Sequence, residues 1–239
     1  NAYQLLYFGQ YEPSLNLAKL AIQINRSDEK LWLILSEAQL ANKQYKNALI
    51  SLNEAQVINS KNSEIYFAKS NIYLKISKLQ KAKTSLEKGL KITPNNHTAI
   101  FQLGNILLME KNYSEAIKLF DKSLKIKPDF WQAINNKGLA YFEKNNINKS
   151  IKLFEKAISL EENAEPLLGL ASCLRVKDIT LALQLAKKAL AKDPNYVNYD
   201  YRKEQLWGEF LQTSTEILLQ NDQLQTDVIL AKSKINTSS

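Results

Sequence analysis

The chain has 239 residues, of which 45% are apolar and only six are glycine and five proline, a composition that supplies a sizeable core and argues against a turn-rich β-sandwich, a collagen-like chain or a disordered linker. Lys plus Arg number 32 against 24 Asp plus Glu, a formal charge of +8; only Arg26, Arg175 and Arg202 are arginines, so 29 of the cations are lysines. A lone cysteine, Cys173, excludes an internal disulfide, and a lone histidine, His97, excludes every zinc site that needs two or more imidazoles.

In chain order, Asn1-Ala2 reads as the scar of a removed expression tag, with native sequence expected upstream of Tyr3. No apolar run approaches the roughly 18 residues of a membrane span. Residues 3–28 hold a shortened first helix and a second one marked by Leu15, Leu17, Ala18, Ala21 and Ile22. From there the sequence repeats itself. Small residues recur at Ala21, Ala55, Gly89, Ser123, Ala157 and Ala189, at spacings of 34, 34, 34, 34 and 32. A second small series, Ser14, Ala48, Ala82, Ala116, Ser150 and Ala182, keeps step with it, and Pro94, Pro128 and Pro194 close units. Such a period decides the architecture before any local propensity does.

Each unit reads as two helices. Leu103, Gly104, Leu107 and Leu108, then Ala116, Ile117, Phe120 and Leu124, give one apolar face apiece, separated by Glu110-Lys111-Asn112. Small residues at Gly104 and Ala116, repeated as Gly138 and Ser150, let two helix backbones approach closely. Proline ends the second helix because it lacks an amide donor and clashes with the preceding turn. One hairpin cannot bury its own apolar face, so neighbours must stack. Pro166 falls near the first turn of its helix, where proline is tolerated. Beyond 194, Leu206, Trp207, Phe210, Leu211, Ile217 and Leu218 predict an amphipathic helix, and Leu224, Val228, Ala231 and Ile235 a second. Both are expected to cover the exposed face of the last repeat.

These residues resemble the tetratricopeptide repeat. Its pattern is matched in Ile100, Leu103-Gly104, Leu107, Ala116, Phe120, Ser123 and Pro128, and one unit earlier in Tyr66, Tyr73, Ala82, Leu86, Gly89 and Pro94. Ile134, Gly138, Tyr141, Ser150, Phe154 and Ala157 follow it but end on Glu162 in place of proline. The resemblance implies an all-α, right-handed superhelical solenoid of helix-turn-helix hairpins: an incomplete repeat at 3–28, repeats at 29–62, 63–96, 97–130, 131–162 and 163–194, and capping helices with a tail at 195–239. The stretches Phe130–Gly138, Ala164-Glu165-Pro166 and Lys203–Gly208 also resemble a group of cyanobacterial tetratricopeptide proteins that carry signal peptides. That second resemblance implies periplasm or thylakoid lumen; without a signal peptide the expected location is cytoplasmic.

The family generally holds an extended peptide or partner helix on a concave surface formed by the first helix of each hairpin. Carried to this chain, that surface offers Phe67, Asn71, Phe101, Gln102, Asn105, Gln132, Asn135 and Asn136, flanked by Lys30, Leu33, Glu37, Glu64, Lys75, Thr98, Met109 and Glu143. Amides donate and accept, so an Asn row can pair with ligand backbone without demanding a sequence, and phenyl rings can take apolar side chains. The alternative is that Phe67 and Phe101 fill gaps between first helices and the amides are solvated. Amides and Phe67 replace the cations with which some family members clamp an acidic tail, which argues against a reader of C-terminal carboxylates.

The implied function is a non-catalytic protein-protein interaction scaffold, serving assembly of an exported or membrane complex, with no cofactor, no metal and an unnamed protein or peptide partner. The alternative is binding of a polyanion, either nucleic acid or an anionic membrane surface, through lysines of the second helices: Lys81, Lys83, Lys88, Lys91, Lys118, Lys122 and Lys125. Residues 63–128 hold 12 cations against 5 anions. An amphipathic helix needs a polar outer face in any case, and scarcity of Arg argues against nucleic-acid reading. Cys173, spaced with Leu170 and Leu174, reads as a core thiol. His97 reads as a surface or capping residue, Glu161-Glu162 as a solvated pair, and the Asn-X-Ser/Thr sequons carry no assigned role.

Overall fold

A computed structural model describes residues 1–237. The described residues fold as fifteen α-helices and two 3₁₀ turns with no strand. They form two compact units, residues 1–99 and residues from 100 onward.

The first unit holds α1 (Ala2–Tyr7), α2 (Tyr11–Ile24), α3 (Glu29–Ala41), α4 (Tyr45–Ile58), α5 (Ser63–Lys75) and α6 (Leu79–Ile92), and the start of α7 (His97–Met109). The second continues through α7, α8 (Tyr113–Ile126), α9 (Trp131–Glu143), α10 (Ile147–Leu160), α11 (Ala164–Leu174) and α12 (Ile179–Lys192). Helices pair as hairpins, α3 with α4, α5 with α6, α9 with α10 and α11 with α12.

Within a hairpin the chain reverses through one residue in the left-handed region, at Lys43, Ser77, Lys111 and Asn145, with φ of 56° to 58°. These positions are 34 apart, and none is glycine, so each turn accepts a backbone cost of roughly 1 kcal/mol. The compensation is a recurring hydrogen bond that closes the first helix, from Gln44 N to Gln39 O, Lys78 N to Tyr73 O, Asn112 N to Leu107 O and Asn146 N to Tyr141 O, at 2.8 to 2.9 Å. First helices are opened by side-chain caps: Asp28 accepts from Lys30 N, Asn62 from Glu64 N and Asn96 from Ala99 N.

Both small-residue series lie inside, apart from half-buried Ala21. Ala48, Ala55, Ala82, Ala116, Ala157, Ala182 and Ala189 are fully buried. Glycine marks the closest approaches: a Cβ on Gly104 would stand 2.6 Å from the Phe120 ring, and one on Gly138 3.0 Å from the Phe154 ring. Phe120 and Phe154 have no exposed surface, so each ring fills the space that its glycine leaves.

The C-terminal segment differs from the expected pair of capping helices. A 3₁₀ turn at Pro194–Val197 leads into short α13 (Tyr199–Glu204), then α14 (Glu209–Leu219), a second 3₁₀ turn at Asp222–Leu224 and α15 (Gln225–Thr237). Leu206 and Trp207 precede α14, with Leu206 at φ 68°, and Phe210 and Ile217 point outward at 64% and 48% exposure. α15 packs on α12, the capping position, whereas α14 turns back onto α9 and α11. The pivot is Arg202, fully buried: Nε donates to Gln212 Oε1 at 2.8 Å, Nη1 to Tyr196 O at 2.7 Å, and Nη2 is ion-paired with Glu216.

Candidate functional site

In the first unit, Phe67 on α5 is buried, its ring lying where a Cβ on Gly89 of α6 would be. It therefore packs its own hairpin and does not line a surface. Asn71, one turn further along α5, is exposed, as are Lys75 on α5 and Lys30 and Glu37 on α3. Glu37 sits partly enclosed opposite Glu64, and that enclosure together with the neighbouring carboxylate raises its pKa above the usual range.

In the second unit the predicted amides meet one another. Asn136 Nδ2 donates to Asn105 Oδ1 at 2.8 Å, and Asn135 Nδ2 to Asn136 Oδ1 at 3.1 Å. Asn135 and Asn136 are buried, so these two amides join α7 to α9 and neither is a solvated row nor an open ligand contact. Gln102, Asn105 and Gln132 are half-buried. Phe101, also half-buried, meets Phe130 edge-on at 4.9 Å and Phe120 at a tilt at 5.8 Å between ring centroids.

The chain's own α14 covers the C-terminal part of this face. Glu143, at the end of α9, accepts from Leu211 N at 3.0 Å and Phe210 N at 3.3 Å, satisfying amides that the first turn of α14 leaves open. Gly208 has no side chain to collide with that carboxylate. Lys111 pairs with Glu209 at 2.8 Å, Ser172 shares a hydrogen bond with Thr215 at 2.7 Å, and Arg175 Nε donates to Ser214 at 2.8 Å. Trp207 Nε1 donates to Glu165 Oε1 at 3.1 Å. Burial raises the Glu165 carboxyl to about 7, against the opposing hydrogen bonds from Trp207 and Asn135.

The basic residues fall on two helices. On α6, Lys81, Lys88 and Lys91 are exposed and Lys83 is half-buried; on α8, Lys118, Lys122 and Lys125 are exposed, Lys118 pairing with Glu115 at 2.6 Å. Cys173 is buried beside Ser150, and burial raises its thiol to about 12, the wrong direction for a nucleophile. His97 is the first residue of α7, and Glu162 pairs with Lys188 and Lys192. Sequence reading missed Lys69, Glu165 and Arg202, three charged side chains whose partners come from other segments of the chain. A charge at an apolar phase of a helix was the available signal.

The tetratricopeptide repeat family models match residues 63–96, 98–130 and 132–163. No curated protein sequence matches the chain. Among solved structures, a tetratricopeptide repeat protein from Parabacteroides merdae is 18% identical with a TM-score of 0.70, covering 97% of this chain and 96% of its own. A MamA fragment from Desulfovibrio magneticus is 25% identical with a TM-score of 0.62, over 68% of this chain and 93% of that one. YrrB, described as a TPR protein with an unusual peptide-binding site, is 22% identical with a TM-score of 0.55, over 78% of this chain and 88% of that one. No described helix is long and apolar enough to cross a membrane.

Proposed function

We propose that this tetratricopeptide repeat protein is a non-catalytic interaction scaffold whose partner lies along the first helices of its hairpins. The observation that supports this reading is α14 itself. In the second unit α9 and α11 hold an amphipathic helix through buried Leu211 and Leu218, a capping carboxylate from Glu143 and paired hydroxyls. A face that takes one such helix has the chemistry to take another by the helix-in-groove mode. YrrB, of like fold, is described as binding peptide.

In the first unit the corresponding positions Lys30, Glu37, Asn71 and Lys75 are exposed. The Glu37 and Glu64 carboxylates repel each other there, and a Lys or Arg on the partner segment relieves that repulsion. The partner segment would then place a Lys or Arg against Glu37. Affinity capture with wild type and with Glu37→Lys tests it: the variant should lose the captured protein while its circular dichroism stays unchanged. Undiminished capture by the variant would overturn the reading.

A further inference from the structure

Lys69 belongs to first helix α5 but points away from the face just described. Its side chain is nine-tenths buried, and its ammonium donates to Asn53 Oδ1 at 2.7 Å and Gln56 Oε1 at 2.5 Å. Both acceptors are neutral amides. An ammonium has three donors, so one remains, and Lys69 lines a cleft of about 250 Å³ together with Tyr66 and Tyr73 of α5 and Lys81, Thr84, Ser85 and Lys88 of α6. Among the described residues three lysines and no carboxylate line that cleft. A buried charge without a counter-ion is costly, and burial together with nearby Lys88 lowers the Lys69 pKa.

The protein contains its own control. Two repeats later, 2 × 34 residues along, Lys137 stands for Lys69, Tyr141 for Tyr73, Lys149 for Lys81 and Asp121 for Asn53. There the ammonium of Lys137 pairs with the Asp121 carboxylate at 2.5 Å, and Lys137 and Lys149 lie 5.9 and 5.0 Å from the centroid of Tyr141. At the earlier repeat Lys81 keeps its place 5.9 Å from Tyr73, but an amide replaces the carboxylate. One repeat carries its counter-anion in the chain; the other keeps the lysines and the Tyr73 ring without it, and has Tyr66 and Gln56 where the later repeat has Ile134 and Leu124.

We infer that the cleft between α5 and α6 binds a phosphate-type dianion, held by Lys69, Lys81 and Lys88 in the role that Asp121 plays for Lys137. Three ammonium groups call for a multiply charged anion, and a cleft of this size has room for a phosphate group. The phosphate is either free or the end of a monoester whose substituent lies against Tyr66 and Tyr73.

Amide chemical-shift titrations of the full chain test this with sodium phosphate, phenyl phosphate and, at matched ionic strength, sodium chloride. Both phosphates should shift Gln56, Tyr73 and Ser85 saturably, with Kd of about 1 mM or tighter. Tighter phenyl phosphate assigns a monoester, and equal or weaker assigns the free ion. Asn53→Asp, a change at an exposed position, installs the internal carboxylate and should weaken binding about tenfold or more without lowering Tm. Lys88→Met, also exposed, should weaken it as well. Shifts with chloride equal to those with phosphate, or unchanged affinity in both variants, would overturn the inference.

Discussion

The Glu143 carboxylate accepts the amide hydrogen of Leu211 at 3.0 Å, across 68 residues of sequence. A helix usually finds its N-cap in the residue just before it, but Gly208 precedes α14 and offers no side-chain acceptor. The cap comes instead from the end of α9, so the contact both finishes α14 and fastens it to the face of the repeats.

Removing that acceptor should loosen α14 ahead of the rest. Glu143→Ala is expected to cost about 1–2 kcal/mol, as loss of a helix cap made by two hydrogen bonds, one of them buried, does. Hydrogen exchange should show faster amides in α14, with α9 and α10 still protected. Glu143→Gln keeps one acceptor oxygen and should lose less.

Close approach of α7 and α8 rests on Gly104. Gly104→Leu should cost on the order of 1–3 kcal/mol by overpacking against the Phe120 ring. Thermal unfolding checks this, and a smaller ring-site residue, as in the double variant with Phe120→Leu, should recover part of the loss.

Glu165 makes stability depend on pH. Its folded pKa of about 7 lies above the unfolded value of about 4.3, so the folded state holds the extra proton between the two. The resulting stabilisation is full below about pH 4.3 and is lost as pH rises through about 7. A protonated carboxyl here is also a donor beside Asn135, whose buried Oδ1 has no partner among the described residues. Glu165→Gln should flatten the fall in Tm between pH 5 and 7, roughly the window of that shift; a slope equal to wild type would contradict this assignment.

Much of the fold was legible because it is periodic. The small-residue series, the Gly104 and Gly138 approaches and the break at Glu110-Lys111-Asn112 follow the repeat, whose spacing is 34 residues and 32 in the last unit; the left-handed turn residues Lys43, Ser77, Lys111 and Asn145 show only in the backbone. The course of α14 was not, because Glu143, Arg202 and Glu216 act across long separations that leave no local pattern. The candidate face was half legible. Family positions placed Asn105, Asn135 and Asn136 near one another, but spacing does not say that amides on adjacent helices bond to each other before any ligand arrives. Phe67 likewise fits a surface position by register, and only the absent side chain of Gly89 draws its ring inward.

Site-specific photo-crosslinking decides whether partners lie along first helices. A crosslinking residue in place of exposed Asn71 on α5 is compared with one in place of exposed Lys91 on α6. Covalent capture of one protein species from the Asn71 position, with none from Lys91, is the predicted result. Capture of that species from Lys91 and not from Asn71 would contradict the claim and move the interaction surface to the lysine-rich second helices.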